Sequence, residues 1–191
     1  MKRLAIVTGI LALAAPLALA QTSTWINDPN HSEVDFSITH LSISTVHGRF
    51  GNVAATLVYN EADVTKSTVQ ATIDIGTVDT GVDQRNTHLK SPDFFDVATF
   101  PTVTFTSTSV AKNGNKLTIT GNLTVHGVTR PVVLDAEGPT GPVTGMDHKQ
   151  HSGFSATTTI SRSAFGIGPK FPPSIVGDEV KLTIELDVAR Q

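Results

Sequence analysis

DTGVDQRNTHLKSPDFFDVATFP, residues 79–101, is the stretch in which the strand-like alternation of polar and apolar residues stops. On both sides of it the alternation has a period of two, which is typical of strands that bury one face. Pro101 bars any helix from continuing beyond the stretch. The sequence therefore predicts a short kinked helical segment, about residues 80–96, on an otherwise all-β body. The residues that fall at helical spacing are Val82, Arg85, Leu89, Phe94 and Phe95.

Two capping signals divide this segment into two pieces. Asp79 or Thr80 can cap a first helix over about residues 82–90. Ser91 can then cap a second short helix, with Pro92 at its first helical position. A kink between the two pieces follows from the second cap.

The rest of the chain predicts eight or nine antiparallel strands. Strands with one apolar and one polar face form either a two-sheet sandwich or a closed barrel. Strands of ten residues span about 33 Å, a length that favours an extended barrel. The clearest turn is Lys112-Asn113-Gly114-Asn115, because Asn-Gly is a strong hairpin signal. Gly48 and Gly51 predict a bend within one long strand over about 45–59.

Two segments are rich in turn residues and are predicted as loops. Residues 138–152 contain two Gly-Pro pairs and a third Gly within GPTGPVTG and predict a mobile surface loop. Residues 166–177 contain Pro169, Pro172 and Pro173 and predict a second long loop. Either loop can gate the mouth of a barrel.

The N-terminus has the pattern of a secretory signal peptide over residues 1–20. A basic start precedes an apolar run over residues 4–15, and Ala-Leu-Ala at positions 18–20 is a cleavage motif. The pattern predicts cleavage after Ala20, a mature chain that starts at Gln21, and a periplasmic or secreted location. The alternative is an uncleaved N-terminal anchor.

Composition narrows the classes of function. The 191 residues include no Cys, which excludes thiol catalysis, Cys-ligated zinc and disulfides. Lys and Arg number 14 against 17 Asp and Glu, for a formal charge of −3, and cleavage of the signal would remove two of the basic residues. This balance argues against nucleic acid or an anionic membrane surface as the main partner.

No motif predicts a catalytic residue, a metal site or a cofactor. The seven His show no metal-ligand spacing, and no Gly-x-Ser-x-Gly elbow is present. Asp93 and Asp96 are interpreted as helix-terminal residues and not as an acid–base pair. An enzyme or metal-binding protein that uses rim histidines such as His40, His88 or His126 stays as the alternative function.

Apolar residues would converge inside the body if the sheet closes. Small residues at inward positions, such as Gly121 and Ala156, suggest incomplete filling of the interior, but a plain packed core is the alternative. The aromatic residues that would meet there are Phe36, Phe50, Phe94, Phe95, Phe105, Phe154, Phe165 and Phe171.

Several motifs resemble, in order, those of the YceI-like family. The central one is R-N-x-H-L-x-S-x-D-F-F-D, residues 85–96, followed by Pro101. Two departures are Asn27, where an Asp usually stands, and Asn86, where an Asp commonly follows the Arg. The second departure puts in doubt any Arg–Asp pairing inside the helix. The other matching stretches are residues 25–28, 31–32, 34–40, 48–50, 121–129 and 160–166.

The resemblance implies an extended eight-stranded antiparallel lipocalin-like barrel over residues 21–191, with a short kinked helical segment. It implies a cavity for a long hydrophobic ligand, such as a polyisoprenoid or isoprenoid quinone, held for transport, storage or stress protection. We expect no nucleic-acid partner and no membrane-integral segment, and a homodimer is left open. The head-group candidates are Arg85, His88 and Arg162. The expected cavity residues are Phe36, Ile38, Phe50, Leu57, Val69, Ile73, Leu89, Phe94, Phe95, Val103, Phe105, Leu117, Ile119, Leu123, Phe154, Ile160, Phe165, Leu182 and Ile184.

Overall fold

Ten β-strands and one α-helix, α1, make up most of residues 22–191, the part of the chain that the computed structural model describes. The signal peptide predicted from the sequence, with its cleavage site between Ala20 and Gln21, lies outside this part. The helix α1 spans Asp83–Lys90. The strands are β1 (Thr22–Asn27), β2 (Glu33–His40), β3 (Ser44–Phe50), β4 (Val53–Asn60), β5 (Thr68–Asp74), β6 (Thr102–Asn113), β7 (Lys116–Val125), β8 (Val128–Thr144), β9 (Gln150–Ser161) and β10 (Val176–Arg190).

The strands close into an antiparallel barrel with eight positions around its wall. The long strand β10 pairs with β2 over its first part and with β1 near its end, so β1 and β2 lie end to end beside it. β3 pairs with β2 and β4 pairs with β1, so β3 and β4 lie end to end in the next position. Each of these two pairs therefore fills one position of the wall. The order continues through β5, β6, β7, β8 and β9 to β10, and the β1–β10 pairing closes the ring. Closure leaves no continuous free sheet edge.

The long strand expected over about 45–59 is broken in two. Residues 51–52 separate β3 from β4, and Asn52 has a φ of +49°. The bend predicted near Gly51 is therefore a full interruption of the strand. At Gly48 the reason for glycine is different, because a Cβ there would overlap the ring of Phe36. Gly121 has the same relation to the ring of Phe105.

The alternating sequence buries alternate side chains. In β4 the buried apolar residues are Val53, Ala55 and Leu57, and in β7 they include Ile119 and Leu123. The intervening residues of β4 face solvent. This alternation is what the period-two pattern predicted, since successive strand residues point to opposite faces.

The helical segment is shorter than the sequence predicted. The helix ends at Lys90, and residues 91–99 form hydrogen-bonded turns in place of a second helix. Ser91 does accept a bond from the amide of Asp93 at 3.3 Å, as a capping residue would. However, the amides of Phe94 and Asp96 both donate to the Ser91 carbonyl, and Asp96 has a φ of +45°. These bonds fold the chain back on itself and stop helical propagation.

The caps expected for the first helix are also absent. Val82 is the N-cap residue, and no side chain bonds the first turn. Thr80 does not accept a bond from the helix as a cap would. Instead its amide and hydroxyl donate to Asn86 Oδ1 within the helix, at 2.8 and 2.7 Å. The Asn86 amide nitrogen also donates to Asp79 Oδ1 at 3.1 Å. An Asp at position 86 could accept the first two bonds but could not donate the third.

The predicted mobile loop over residues 138–152 is wrong for most of its length. β8 continues to Thr144 and β9 begins at Gln150, so only residues 145–149 form the connection. The register slips between Glu137 and Thr140 and again before Val143. Bulges absorb an extra residue without ending a ladder, and Gly138 and Gly141 have the positive φ that such positions favour.

A histidine links two acidic residues beside the β1–β10 seam. His151 Nδ1 lies 2.8 Å from Asp187 Oδ1, and its Nε2 lies 3.1 Å from Asp147 Oδ1. The hydrogen bond to Asp187 and, to a lesser extent, the one to Asp147 raise the pKa of His151 above its usual 6.5. Nearby, Asp28 Oδ2 lies 2.7 Å from His31 Nδ1 and raises the pKa of His31 in the same way.

We expect thermal stability to fall as the pH rises from about 6 to 8. A histidine whose folded pKa is raised stabilises the fold fully below its unfolded pKa of 6.5, and that contribution is lost as the pH rises through the folded pKa. In acid the stability should fall as the pH is lowered, because folding lowers the pKa values of Asp28 and Asp147 below 3.8. The measurement is the thermal midpoint against pH for the wild type and for His31→Gln/His151→Gln. An unchanged slope between pH 6 and 8 in the double variant would refute this assignment.

Candidate functional site

A cavity of about 220 Å³ occupies the barrel interior. Its wall takes side chains from β2 to β10 and from the segment 89–95 that crosses the barrel end. The lining is almost entirely aliphatic and aromatic, and the polar residues in it are Ser155, Thr158 and Arg162. Such a wall offers burial to an apolar molecule and few hydrogen bonds to a polar one.

Phe171, which was expected among the converging aromatic residues, does not line this cavity. Of the residues expected to form the cavity wall, all but two line it. The exceptions are Leu117 and Phe165, which do not contribute to its wall. Both are buried in the same packed cluster as Val110. Leu117 lies next to the β6–β7 turn, opposite Lys112, beyond the residues of β7 that line the cavity. The sequence identified the inward face correctly but could not give depth along the barrel.

The cavity wall also includes residues that the sequence analysis did not select. Most share an inward face with residues that it did select, so the period-two pattern could have identified them. Ser155 carries no such signal, because it is polar and lies between Phe154 and Ala156 in the alternating pattern of β9. The lining residues outside the expected cavity set are Val34, Val53, Ala71, Val125, Val132, Leu134, Ala136, Ser155, Ala156, Thr158, Ile167, Val176, Val180 and Leu186, of which Ala156 was expected to point inward.

A lid of two chain segments covers the barrel end that carries α1. The first segment contributes Phe94 and Phe95, and the Phe95 ring meets the Phe50 ring edge-on at 5.8 Å. The second segment, residues 166–175, contributes Phe171, which stacks on Phe94 at 4.8 Å. Lys170 Nζ lies 2.5 Å from Asp93 Oδ1 and adds an ion pair between the segments. The ion pair also lowers the pKa of Asp93.

Arg162 holds the second lid segment in place. The side chain is buried, and its five N–H groups all donate to backbone carbonyl oxygens. Nε bonds Gly177, and Nη1 bonds Ile167 and Gly168, at 2.8 to 2.9 Å. Nη2 completes the set with the carbonyls of Phe171 and Val176, at 2.6 and 2.7 Å.

This arrangement corrects the prediction that Arg162 receives a ligand head group. Although Arg162 lines the cavity, its donors are all engaged by the protein, so none is free for a ligand. The sequence Ser161-Arg162-Ser163 gave no sign of this, because three of the five carbonyl acceptors come from the 166–175 loop and two from Val176 and Gly177 at the start of β10. Its neighbour Asp178 accepts from the Ser161 hydroxyl at 2.5 Å, which lowers the pKa of Asp178.

The other two head-group candidates lie outside the cavity lining. Arg85 Nε and Nη2 donate to the hydroxyl and carbonyl of Thr80, both at 2.8 Å, so this side chain fixes the start of α1. His88 is half exposed on the lid, with its ring edge-on to Phe94 and Phe171 at 5.0 and 5.8 Å. Its Nε2 lies 3.5 Å from Asp93 Oδ2. The structure thus gives both residues contacts within the lid region and none with the cavity.

The rim histidines of the alternative function do not come together. His40 ends β2 opposite Val176, whereas the His126 ring packs on Phe100 at 4.6 Å in a turn. His88 lies on the lid beside Asp93. Across residues 22–191, no group of three or more His, Cys, Asp or Glu side chains is arranged to hold a metal ion.

A helix able to span a membrane is not found in the described part of the chain, where α1 is short and polar.

Comparisons with known proteins agree with this geometry. A family model described as the YceI-like domain matches residues 25–188. Protein YceI of Salmonella newport (strain SL254) is 38% identical over 165 residues, which cover 84% of this chain and 83% of that protein.

Two solved structures share the fold. BcnA of Burkholderia cenocepacia superposes with a TM-score of 0.76 at 28% identity and covers 84% of this chain and 98% of its own. A polyisoprenoid binding domain from Saccharophagus degradans, implicated in plant cell wall breakdown, gives a TM-score of 0.63 at 16% identity, with coverage of 87% and 98%. The family match, the extent of the identity and the shared barrel together place this chain in the YceI-like family.

Proposed function

We propose that this protein is a non-enzymatic carrier that holds a long-chain hydrophobic molecule in the barrel cavity. The ligand class is a polyisoprenoid, an isoprenoid quinone or a similar lipid, carried for transport, storage or protection against stress. The observation that carries the proposal is the apolar wall of the 220 Å³ cavity.

The wall favours a chain of hydrocarbon over a polar molecule. Each CH₂ group removed from water contributes about 0.8 kcal/mol, so a long chain binds tightly without a specific polar contact. A polar group inside would find Ser155, Thr158 and the fully engaged Arg162, and an unpaired buried polar group costs about 1–3 kcal/mol. The head group of such a ligand would therefore stay at the mouth, where water can solvate it.

The lid supplies a route for entry and exit. Its two segments are joined through the Phe94–Phe171 stack and the Lys170–Asp93 ion pair, and both contacts can separate without breaking the barrel ladder. Of the two loops expected to gate the mouth, residues 166–175 remain the candidate gate. The 145–149 connection is excluded because it lies at the opposite end of the barrel.

Two further points support a carrier. The Saccharophagus degradans domain named above is called a polyisoprenoid binding domain and has the same fold. The histidines that an enzyme would use are dispersed over the rim and the lid. We extend the proposal to an exported protein, cleaved after Ala20, whose residues 21–191 form the binding domain in the periplasm.

The test is a competition experiment on delipidated protein. The probe 1-anilinonaphthalene-8-sulfonate would occupy the empty cavity, and prenols of increasing length would displace it. We expect the midpoint of displacement to fall with each added isoprene unit until the cavity is filled, because each unit buries more hydrocarbon. The proposal would be wrong if displacement did not depend on chain length.

A further inference from the structure

The β2–β3 hairpin exposes two large apolar side chains at its tip. Ile43 is 84% exposed and Leu41 is 48% exposed. Ile175, from the second lid segment, is also exposed, and its carbonyl accepts a bond from the Leu41 amide at 2.8 Å. We call these three residues, Leu41, Ile43 and Ile175, the lip.

The lip lies close along the chain to residues of the cavity wall. Ile175 immediately precedes Val176, which lines the cavity and pairs with His40. Ile38, three residues before Leu41, lines the cavity as well. The lip therefore lies at the end of two strands, β2 and β10, whose inward residues line the cavity.

The turn itself does not require these side chains. Leu41 and Ser42 have φ values of +51° and +59°, a left-handed conformation that Gly and Asn adopt with less strain. A strongly exposed Leu in such a position gains nothing from the fold. Burial of the Leu41 side chain against a binding partner would offset the backbone strain of this conformation.

The charge around the lip favours a lipid surface. No Asp or Glu occurs in residues 36–60 or 163–177, although the chain has 17 acidic residues. The two segments that build the lip thus have no acidic side chain to desolvate or to repel lipid phosphates. The overall negative charge still opposes electrostatic attachment, so the contact must be apolar.

We propose that the lip docks the barrel on a lipid bilayer, with Leu41, Ile43 and Ile175 inserted among the acyl chains and the mouth of the cavity facing the lipid. This inference rests on the proposed carrier function, because it gives the hydrophobic ligand a path that avoids water. A second copy of the chain is a poorer occupant. Three side chains at a narrow hairpin tip fall far short of the roughly 1,200 Å² that a stable interface buries.

The experiment is flotation with vesicles of phosphatidylethanolamine and phosphatidylcholine. We expect the wild type to float and Leu41→Ser/Ile43→Ser to lose at least about tenfold in partition, since two large apolar side chains no longer enter the hydrocarbon. The control is Val143→Ser/Met146→Ser, which removes exposed apolar side chains near the opposite end of β10 and should float as the wild type does. Raising the salt concentration should leave flotation unchanged.

Two readouts separate this inference from the carrier proposal. Cavity binding of 1-anilinonaphthalene-8-sulfonate is measured without vesicles on each variant, and the lip variant should retain it. If the wild type floated but its cavity bound no probe, docking would be supported and the carrier proposal refuted. If its cavity bound the probe but the protein did not float, the carrier proposal would be supported and docking refuted. Docking would also be overturned if the lip variant floated normally. The same holds if sedimentation velocity showed the wild type as a dimer and the lip variant as a monomer, because the lip would then bind a second copy of the chain.

Discussion

Replacing Arg162 with alanine is expected to lower the free energy of unfolding by about 3 kcal/mol or more. The substitution removes five hydrogen bonds from a charged donor and leaves buried carbonyls of the 166–177 segment without a partner. The measurement is denaturant unfolding followed by circular dichroism. Limited proteolysis should in addition show earlier cleavage within residues 166–175, because the second lid segment loses its anchor.

Arg130→Ala is the matched control for this prediction. Arg130 is exposed and makes one bond, from Nε to the Ala164 carbonyl at 3.2 Å, so its loss should cost no more than about 0.5 kcal/mol. Arg162→Lys should behave like Arg162→Ala, since an ammonium group keeps the charge but cannot reach five carbonyls. Equal stabilities for Arg162→Ala and Arg130→Ala would contradict the anchoring role.

Ala156→Phe is expected to lower the affinity for a long-chain ligand at least about tenfold while the barrel stays folded. Ala156 lines the cavity from β9, so a phenyl group there would occupy space that the hydrocarbon chain needs. The existing cavity gives the ring room, which limits overpacking of the wall. The measurement is displacement of 1-anilinonaphthalene-8-sulfonate by a long prenol.

Thr157→Phe provides the comparison, because the next residue of the same strand is exposed on the outer face. It adds the same side chain to the same strand and should leave the affinity unchanged. If Ala156→Phe and Thr157→Phe bound the prenol equally well, the ligand would not occupy the cavity described here.

The barrel could be predicted from the sequence because alternation reports which face each strand residue occupies. Val103, Phe105, Leu182 and Ile184 were placed inward on that ground, and they line the cavity. Alternation says nothing of depth along the barrel, so Leu117 was placed with them although it is buried outside the cavity lining.

The errors arose where distant parts of the chain decide the local structure. Residues 138–144 contain Gly-Pro pairs typical of a loop, yet pairing with β9 keeps them in the sheet through two bulges. Arg162 was a plausible head-group ligand from its sequence, but in the fold the following loop and the start of β10 supply a carbonyl to each of its donors. The residues near each segment do not indicate which strand it pairs with or how the following loop folds.

Native mass spectrometry of the protein, isolated without detergent from the cells that make it and followed by organic extraction, tests the central claim most directly. The account predicts a discrete mass excess that is recovered in the extract as a long-chain lipid. A bare protein mass, with no lipid in the extract, would contradict it and would leave the barrel as a scaffold that carries nothing.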